Sequence, residues 1–234
     1  MLQQDQTHSH FVLPEDVATF EMVPASVMDF HAWRETQASQ NPYPHLVVRD
    51  VLYGGAKTAL RDDFPAIAHS GFFPLSEMKV EGAFKALIHD FISDEFASIL
   101  SHKLGMELRD KPRLVTVRKW SAFGDGRIHN DSESKIASAL IYLNDDWPAT
   151  GEGCFRVLKS DTSFADCARE LSPVTGAMIA FKRTPNSWHG HLPFTGERRV
   201  VQMAYLRSQA DLERKTRRGR WSHLLKKLNP FGRA

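Results

Sequence analysis

Apolar positions recur at two different spacings along this chain, and the change from one to the other divides it. Between Gly82 and Leu104 the spacing is helical: Phe84, Leu87, Ile88 and Phe91 stand at i, i+3, i+4 and i+7, and Phe96, Ile99, Leu100 and Leu104 continue the stripe beyond Ser93-Asp94. This predicts two helices, the second capped at Ser93 or Asp94 and ended at Gly105. From Leu114 the period falls to two. Strands are predicted at 114–120, 135–143, 154–158, 177–181 and 198–206, with turns at 123–126, 147–153 and 175–176.

The segments upstream are shorter and less regular. Val27 to Gln40 carries Met28, Phe30, Trp33 and Thr36, a weak helical pattern that Asn41-Pro42 should stop. Leu46-Val47-Val48 reads as a strand, with Val51-Leu52 beyond a charged pair, and residues 54–68 as a short helix cut by Pro65. The aromatic turn from His69 to Pro74 is expected to pack onto the domain, a substrate lid being the alternative. The first 20 residues show little periodicity and read as an arm. A helical layer followed by many short antiparallel strands predicts an α+β fold with a mainly β core, a barrel or jelly roll with helices laid on one face of its sheet. The expected division is an arm and helix over 1–45, a single domain over 46–206 (helical support 46–112, β core 113–206), and a tail over 207–234.

Composition changes this picture in one place. A chain of 234 residues with 42% apolar and 25% charged residues suits one soluble folded unit. No apolar run approaches the ~20 residues that span a bilayer, and residues 1–10 lack the apolar stretch of a signal peptide. Cys154 and Cys167 have no metal-finger spacing, so reduced thiols in the cytoplasm are expected. The net charge of +2 is unevenly spread: residues 207–234 hold nine Lys/Arg against two Asp/Glu, leaving the preceding 206 residues at 21 against 26. An acidic body argues against a nucleic-acid substrate.

The candidate chemistry begins at Arg127-Ile128-His129-Asn130-Asp131. On extended backbone, residues i and i+2 share a face, so His129 and Asp131 can aim an imidazole and a carboxylate at one point. Two histidines and one carboxylate on one face of an octahedron is the ligand set of non-haem Fe(II) oxygenases. The third ligand is expected at His189, although His191 would share its face on an extended strand. Arg198, nine residues after His189, is suited to a bidentate grip on a dicarboxylate, with Arg199 as its competitor after a one-residue register shift.

The stretch from Arg118 to Leu206 resembles the 2-oxoglutarate/Fe(II)-dependent dioxygenases, and among them the prolyl-4-hydroxylase-like branch. The resemblance rests on His129-x-Asp131, Tyr142-Leu143-Asn144-Asp145-Asp146-Trp147, Gly151-Glu152-Gly153, Pro173-Val174-Thr175-Gly176, Ala180-Phe181, His189-x-x-x-Pro193 and Arg198, in the family's order. It implies a double-stranded β-helix of the jelly-roll or cupin-like type, with N-terminal supporting helices. It implies Fe(II) on His129, Asp131 and His189, 2-oxoglutarate held by Arg198 and Tyr142, and O2 as the second cosubstrate. Gln202 and Ser138 share faces with these residues and are secondary candidates for the cosubstrate pocket. The activity implied is hydroxylation of an unactivated C–H of a peptide, amino acid, envelope glycan or small polar molecule, with succinate and CO2 as co-products. Departures fall in the substrate half. Trp120 and Phe123 stand where relatives often carry a tyrosine, and Ala204-Tyr205-Leu206 lacks a frequent tryptophan. Arg127, Lys135 and Phe123 are the candidates for substrate contact. The rival class is a non-catalytic metal- or ligand-binding module of the same fold, recruited to membranes by its tail.

In that tail Trp221, Leu224, Leu225 and Leu228 fall at i, i+3, i+4 and i+7 among Arg217, Arg218, Arg220, Lys226 and Lys227. A basic amphipathic helix over 217–231 can lie on the inner face of an anionic membrane. Docking on its own domain, or on a second copy in a homo-oligomer, is the slightly favoured reading.

Overall fold

The computed structural model describes residues 25–217, so the predicted arm and the tail positions Trp221 to Leu228 lie outside the described residues. The two predicted helices are α3 (Gly82–Phe91) and α4 (Asp94–Leu104). The Ser93 hydroxyl accepts the Phe96 N–H at 3.1 Å as the cap of α4. Gly105 ends α4 at φ +61°, in the left-handed region. Upstream, α1 (Phe30–Glu35) is shorter than its weak pattern suggested, and α2 (Lys57–Asp62) stops before Pro65.

The strands form two sheets. Six of them, β1 (His45–Val48), β2 (Phe73–Pro74), β3 (Arg113–Ser121), β4 (Lys135–Tyr142), β7 (Met178–Lys182) and β9 (Gly196–Leu206), pair antiparallel in the order β1-β7-β4-β9-β3-β2. The smaller sheet is β6-β5-β8, from β5 (Phe155–Leu158), β6 (Cys167–Leu171) and β8 (His189–Gly190). The five strands predicted from Leu114 onward and the one predicted at Leu46-Val47-Val48 are all present, and β2, β6 and β8 are additional.

Period-two alternation sorts the large sheet into two cores. One face of β4 (Ala137, Ala139, Ile141), with Val201, Met203 and Tyr205 of β9, packs under Phe84, Leu87, Phe91, Phe96 and Leu100 of the helices. Each of those fully buried large side chains contributes roughly 1.5–3 kcal/mol. Val27, Met28 and Trp33 bury in this same core, and residues 26–28 are tied to it by buried Asp90, whose Oδ2 accepts from Ser26 Oγ and the amides of Val27 and Met28. The opposite face, Leu140 and Tyr142 of β4 with Ile179, Phe181 and Val200, meets Phe155 and Val157 of the small sheet. The candidate site opens between these two sheets.

Candidate active site

Two of the predicted ligands lie directly opposite one another across a pair of strands. His129 and His189 exchange both backbone hydrogen bonds, at 3.0 Å each, so their side chains leave on the same face with ring centroids 4.3 Å apart. Asp131, two residues on, completes a cluster in which one ligand atom from each side chain lies within 4.8 Å of the others. Each imidazole is fixed by its own chain. The Nδ1 of His129 is 2.8 Å from the Arg127 carbonyl, and that of His189 is 2.9 Å from the Ser187 carbonyl. A carbonyl only accepts, so Nδ1 carries the proton and each Nε2 presents a bare lone pair. Asp131 accepts from Lys135 Nζ on Oδ1 and from Ser138 Oγ on Oδ2, both at 2.6 Å. Each oxygen keeps one further lone pair. Two bare imidazole nitrogens and an anionic carboxylate form a donor set that fits a divalent transition metal.

Burial favours the protonation states that such a metal needs. His189 lies between Phe155 and Phe181, and this desolvation pushes its pKa down to about 4, against the opposing pull of Asp131. Burial alone would raise the Asp131 pKa, but the charges of Lys135 and His189, with hydrogen bonds from Lys135 and Ser138, outweigh it and hold the carboxyl well below its usual range. Asn130 turns out to be a brace between the two ligand segments. Its Nδ2 donates to the Thr184 and Pro185 carbonyls at 2.7 and 2.9 Å, and its Oδ1 accepts from Ser187 Oγ at 2.6 Å.

Further along the same face, Arg198 is only 2% exposed. Its Nε donates to the Gly153 carbonyl at 2.8 Å and its NH2 to the Tyr142 hydroxyl at 3.3 Å, which leaves NH1 and the Tyr142 O–H to serve a ligand. Gly153 has φ +70°, and a Cβ there would meet the Trp147 ring at 2.5 Å, so the Gly-Glu-Gly motif is needed to deliver that carbonyl. The register question has a clear outcome: Arg199 faces the helices, paired with Glu197 and lying 5.5 Å from the Phe64 ring centroid. Asn144 of the Tyr-Leu-Asn motif binds the Pro173 and Arg199 carbonyls and the Arg199 amide, locking β4 to β9 beside Arg198.

Metal face and arginine open into one cavity of about 530 Å³. Of the remaining predicted residues, Gln202 and Lys135 line it. The Ser138 hydroxyl is committed to Asp131. Arg127 is exposed and outside the lining, and Phe123 is 73% exposed on the turn after β3. His191 does not join the metal cluster. Its Nδ1 contacts the Leu192 carbonyl at 2.8 Å, its ring lies against Gly126, and burial together with the Arg198 charge depresses its pKa to about 3. Two lining residues carried no sequence signal for this role, Arg118 on β3 and Lys215, which arrives on a helix running from 209 to the end of the described residues; a third, Phe72 over the Arg118 guanidinium, belongs to the aromatic turn for which a substrate lid is the alternative. Only the inward alternation of Leu114, Thr116 and Arg118 along β3 could have indicated Arg118.

Comparison with known proteins agrees with this geometry. Residues 118–207 match the sequence profile of the 2OG-Fe(II) oxygenase superfamily. No curated protein matches. Among solved structures, a prolyl-4-hydroxylase from Pseudomonas putida superposes with a TM-score of 0.50 at 18% identity, covering 70% of this chain and 92% of the other. A viral collagen prolyl hydroxylase from Paramecium Bursaria Chlorella virus-1, in complex with 2OG, gives 0.50 at 16% identity over 70% and 96%. These likenesses show the fold to be a double-stranded β-helix. The matched segment spans both ligand strands, the two-histidine, one-carboxylate cluster and the buried arginine, so the β core of this chain is similar to a superfamily of oxygenases whose chemistry uses Fe(II), 2-oxoglutarate and O2.

Proposed function

We propose that the chain is a 2-oxoglutarate-dependent hydroxylase of a small polar or peptide substrate, with His129, Asp131 and His189 as its metal ligands. The observation that carries this reading is one cavity lined both by the three-ligand face and by Arg198, whose NH2 donates to the buried Tyr142 hydroxyl. Fe(II) held there would supply oxygen activation coupled to oxidative decarboxylation of the cosubstrate. The chain's own part is positioning. Two fixed tautomers keep both Nε2 atoms open, Lys135 and Ser138 hold the carboxylate in place, and Arg198, braced by Tyr142, would hold the distal carboxylate of the cosubstrate. Phe155, Phe181 and Leu140 keep the walls apolar and exclude water.

The charge of the cavity bears on the substrate. Arg118, Lys135, Arg198 and Lys215 line it against the single carboxylate Asp131. Even after a dicarboxylate is bound, this lining favours a polar molecule bearing negative charge over an apolar one. Anaerobic addition of Fe(II) and 2-oxoglutarate is expected to give a weak visible charge-transfer band, and aerobic incubation uncoupled succinate. Substitution of His129, Asp131 or His189 by Ala should abolish both signals while His191→Ala keeps the metal. Absence of band and succinate from the unsubstituted protein, or equal metal loss in His191→Ala, would overturn the reading. Succinate release screened against acidic sugars, free amino acids and peptides tests the substrate class.

A further inference from the structure

Arg118 is the least satisfied cation inside the cavity. Its side chain is 9% exposed, yet its guanidinium donates no hydrogen bond among the described residues, and its Nε is buried without a partner. Its nearest carboxylate is Asp125, at 3.4 Å from NH1, and Asp125 is already engaged by the Ala122 amide at 2.9 Å. The Phe72 ring covers the guanidinium with its centroid 4.2 Å from Cζ. A stacked guanidinium keeps the N–H groups in its own plane free, so they are directed at the rim of the fork, where a carboxylate would bind.

Strand register places this unused fork beside the Arg198 clamp. Arg118 pairs with Val200 on β9, and Val200 pairs with Tyr142 on β4, so Arg118 and Tyr142 stand at one level on either side of β9. The metal face lies at the level of Ser138 and Ala204, four residues away along β4 and β9. Burial and, after it, the nearby Arg198 charge disfavour the charged form of Arg118, and both arginines act on His191, whose buried Nε2 also has no partner. Two buried like charges facing one cavity form a costly arrangement until an anion lies between them.

We propose that Arg118 is a second carboxylate-binding residue of the cosubstrate pocket, so that the distal carboxylate of the keto acid is bridged by two guanidiniums, Arg118 and Arg198. This rests on the dioxygenase reading above and adds a specificity determinant to it. The distal end of the pocket is then dicationic, and selectivity for a dicarboxylate over a monocarboxylate 2-oxo acid is set by both arginines.

The test is calorimetric titration of the full Mn(II)-loaded chain with 2-oxoglutarate and with 2-oxopentanoate, which has a methyl group in place of the distal carboxylate. The unsubstituted protein is expected to prefer 2-oxoglutarate. Arg118→Ala should weaken 2-oxoglutarate roughly ten- to hundredfold, as for loss of a charge-assisted contact, and leave 2-oxopentanoate within about twofold. Arg118→Lys, which keeps charge but not the fork, should fall between. Unchanged Mn(II) affinity and unfolding midpoint show that the variants are folded, and Arg118→Gln replaces any that is not. Equal weakening of both keto acids, or of neither, overturns the assignment to the distal carboxylate. If the unsubstituted protein itself fails to distinguish the two acids, the cosubstrate pocket is misread altogether, and the proposal falls with it.

Discussion

At the scale of single residues, protonation decides whether the site is ready for a metal. His189 and His191 have folded pKa values near 4 and 3, against an ordinary value of 6.5, chiefly through burial. Between pH 6.5 and 4 the unfolded chain takes up protons that the native chain refuses. Stability present above about pH 6.5 is therefore lost as the pH falls through that window. At about 1.4 kcal/mol per pH unit, acidification of the metal-free protein from pH 7.5 to 5 should cost roughly 2 kcal/mol for each of the two histidines. Asp131 adds a loss of the same sign only below its ordinary range, because its folded pKa is also depressed. Urea midpoints at the two pH values check this, and a flat or rising stability on acidification would contradict it. The sequence alone could pair His129 with Asp131, since i and i+2 on extended chain suffice. It could not separate His189 from His191, which share a strand face in projection. The separation comes from the cross-strand bridge to His129 and from Gly126, whose missing side chain leaves room for the His191 ring. Arg198 over Arg199 is likewise a matter of register, fixed by Asn144 and by the partner strands.

At the scale of elements, the short strand β8 matters most and was hardest to read. It is two residues long, His189–Gly190, and no period can be seen in two residues. Its position depends on contact with a loop sixty residues earlier. A Cβ on Gly190 would lie 2.5 Å from the Gly126 carbonyl oxygen and 3.0 Å from that of Arg127, both backbone atoms that cannot swing aside. Gly190→Ala should therefore push the segment carrying His129 away from β8 and weaken metal binding at least tenfold, with the helical core intact. Competition with a chromophoric chelator measures the affinity, and circular dichroism the helices; retained affinity would show the contact to be unimportant. Long elements were readable for the opposite reason. The apolar stripes of α3 and α4, the Ser93 cap and the left-handed Gly105 are local features, and β4 sends alternate residues to the two cores. The strand β6 escaped because its burial is slight, Cys167 to Glu170 being half-buried or exposed, so no alternation marks it.

At the scale of the molecule, the helices and the large sheet share one continuous cluster of 34 buried residues among the described residues, none of them a metal ligand. The catalytic half is held differently. The segment from Ala122 to Ser134 carries two ligands and is anchored by the Asn130 contacts, the Arg183 hydrogen bond to the Asp131 carbonyl at 3.2 Å, the His191 and Arg207 amides on the Gly126 and Ser134 carbonyls, and the reciprocal pair between His129 and His189. A metal on the three side chains would join that segment to the small sheet at the point where backbone pairing already crosses. The His129–His189 pair thus has a consequence in time as well as in space. Its two amides should report the opening of the pocket mouth, exchanging with solvent within minutes in the metal-free chain and slowing by a factor close to 1 + [M]/Kd when metal closes it, while amides of β4 and β9 keep one rate throughout.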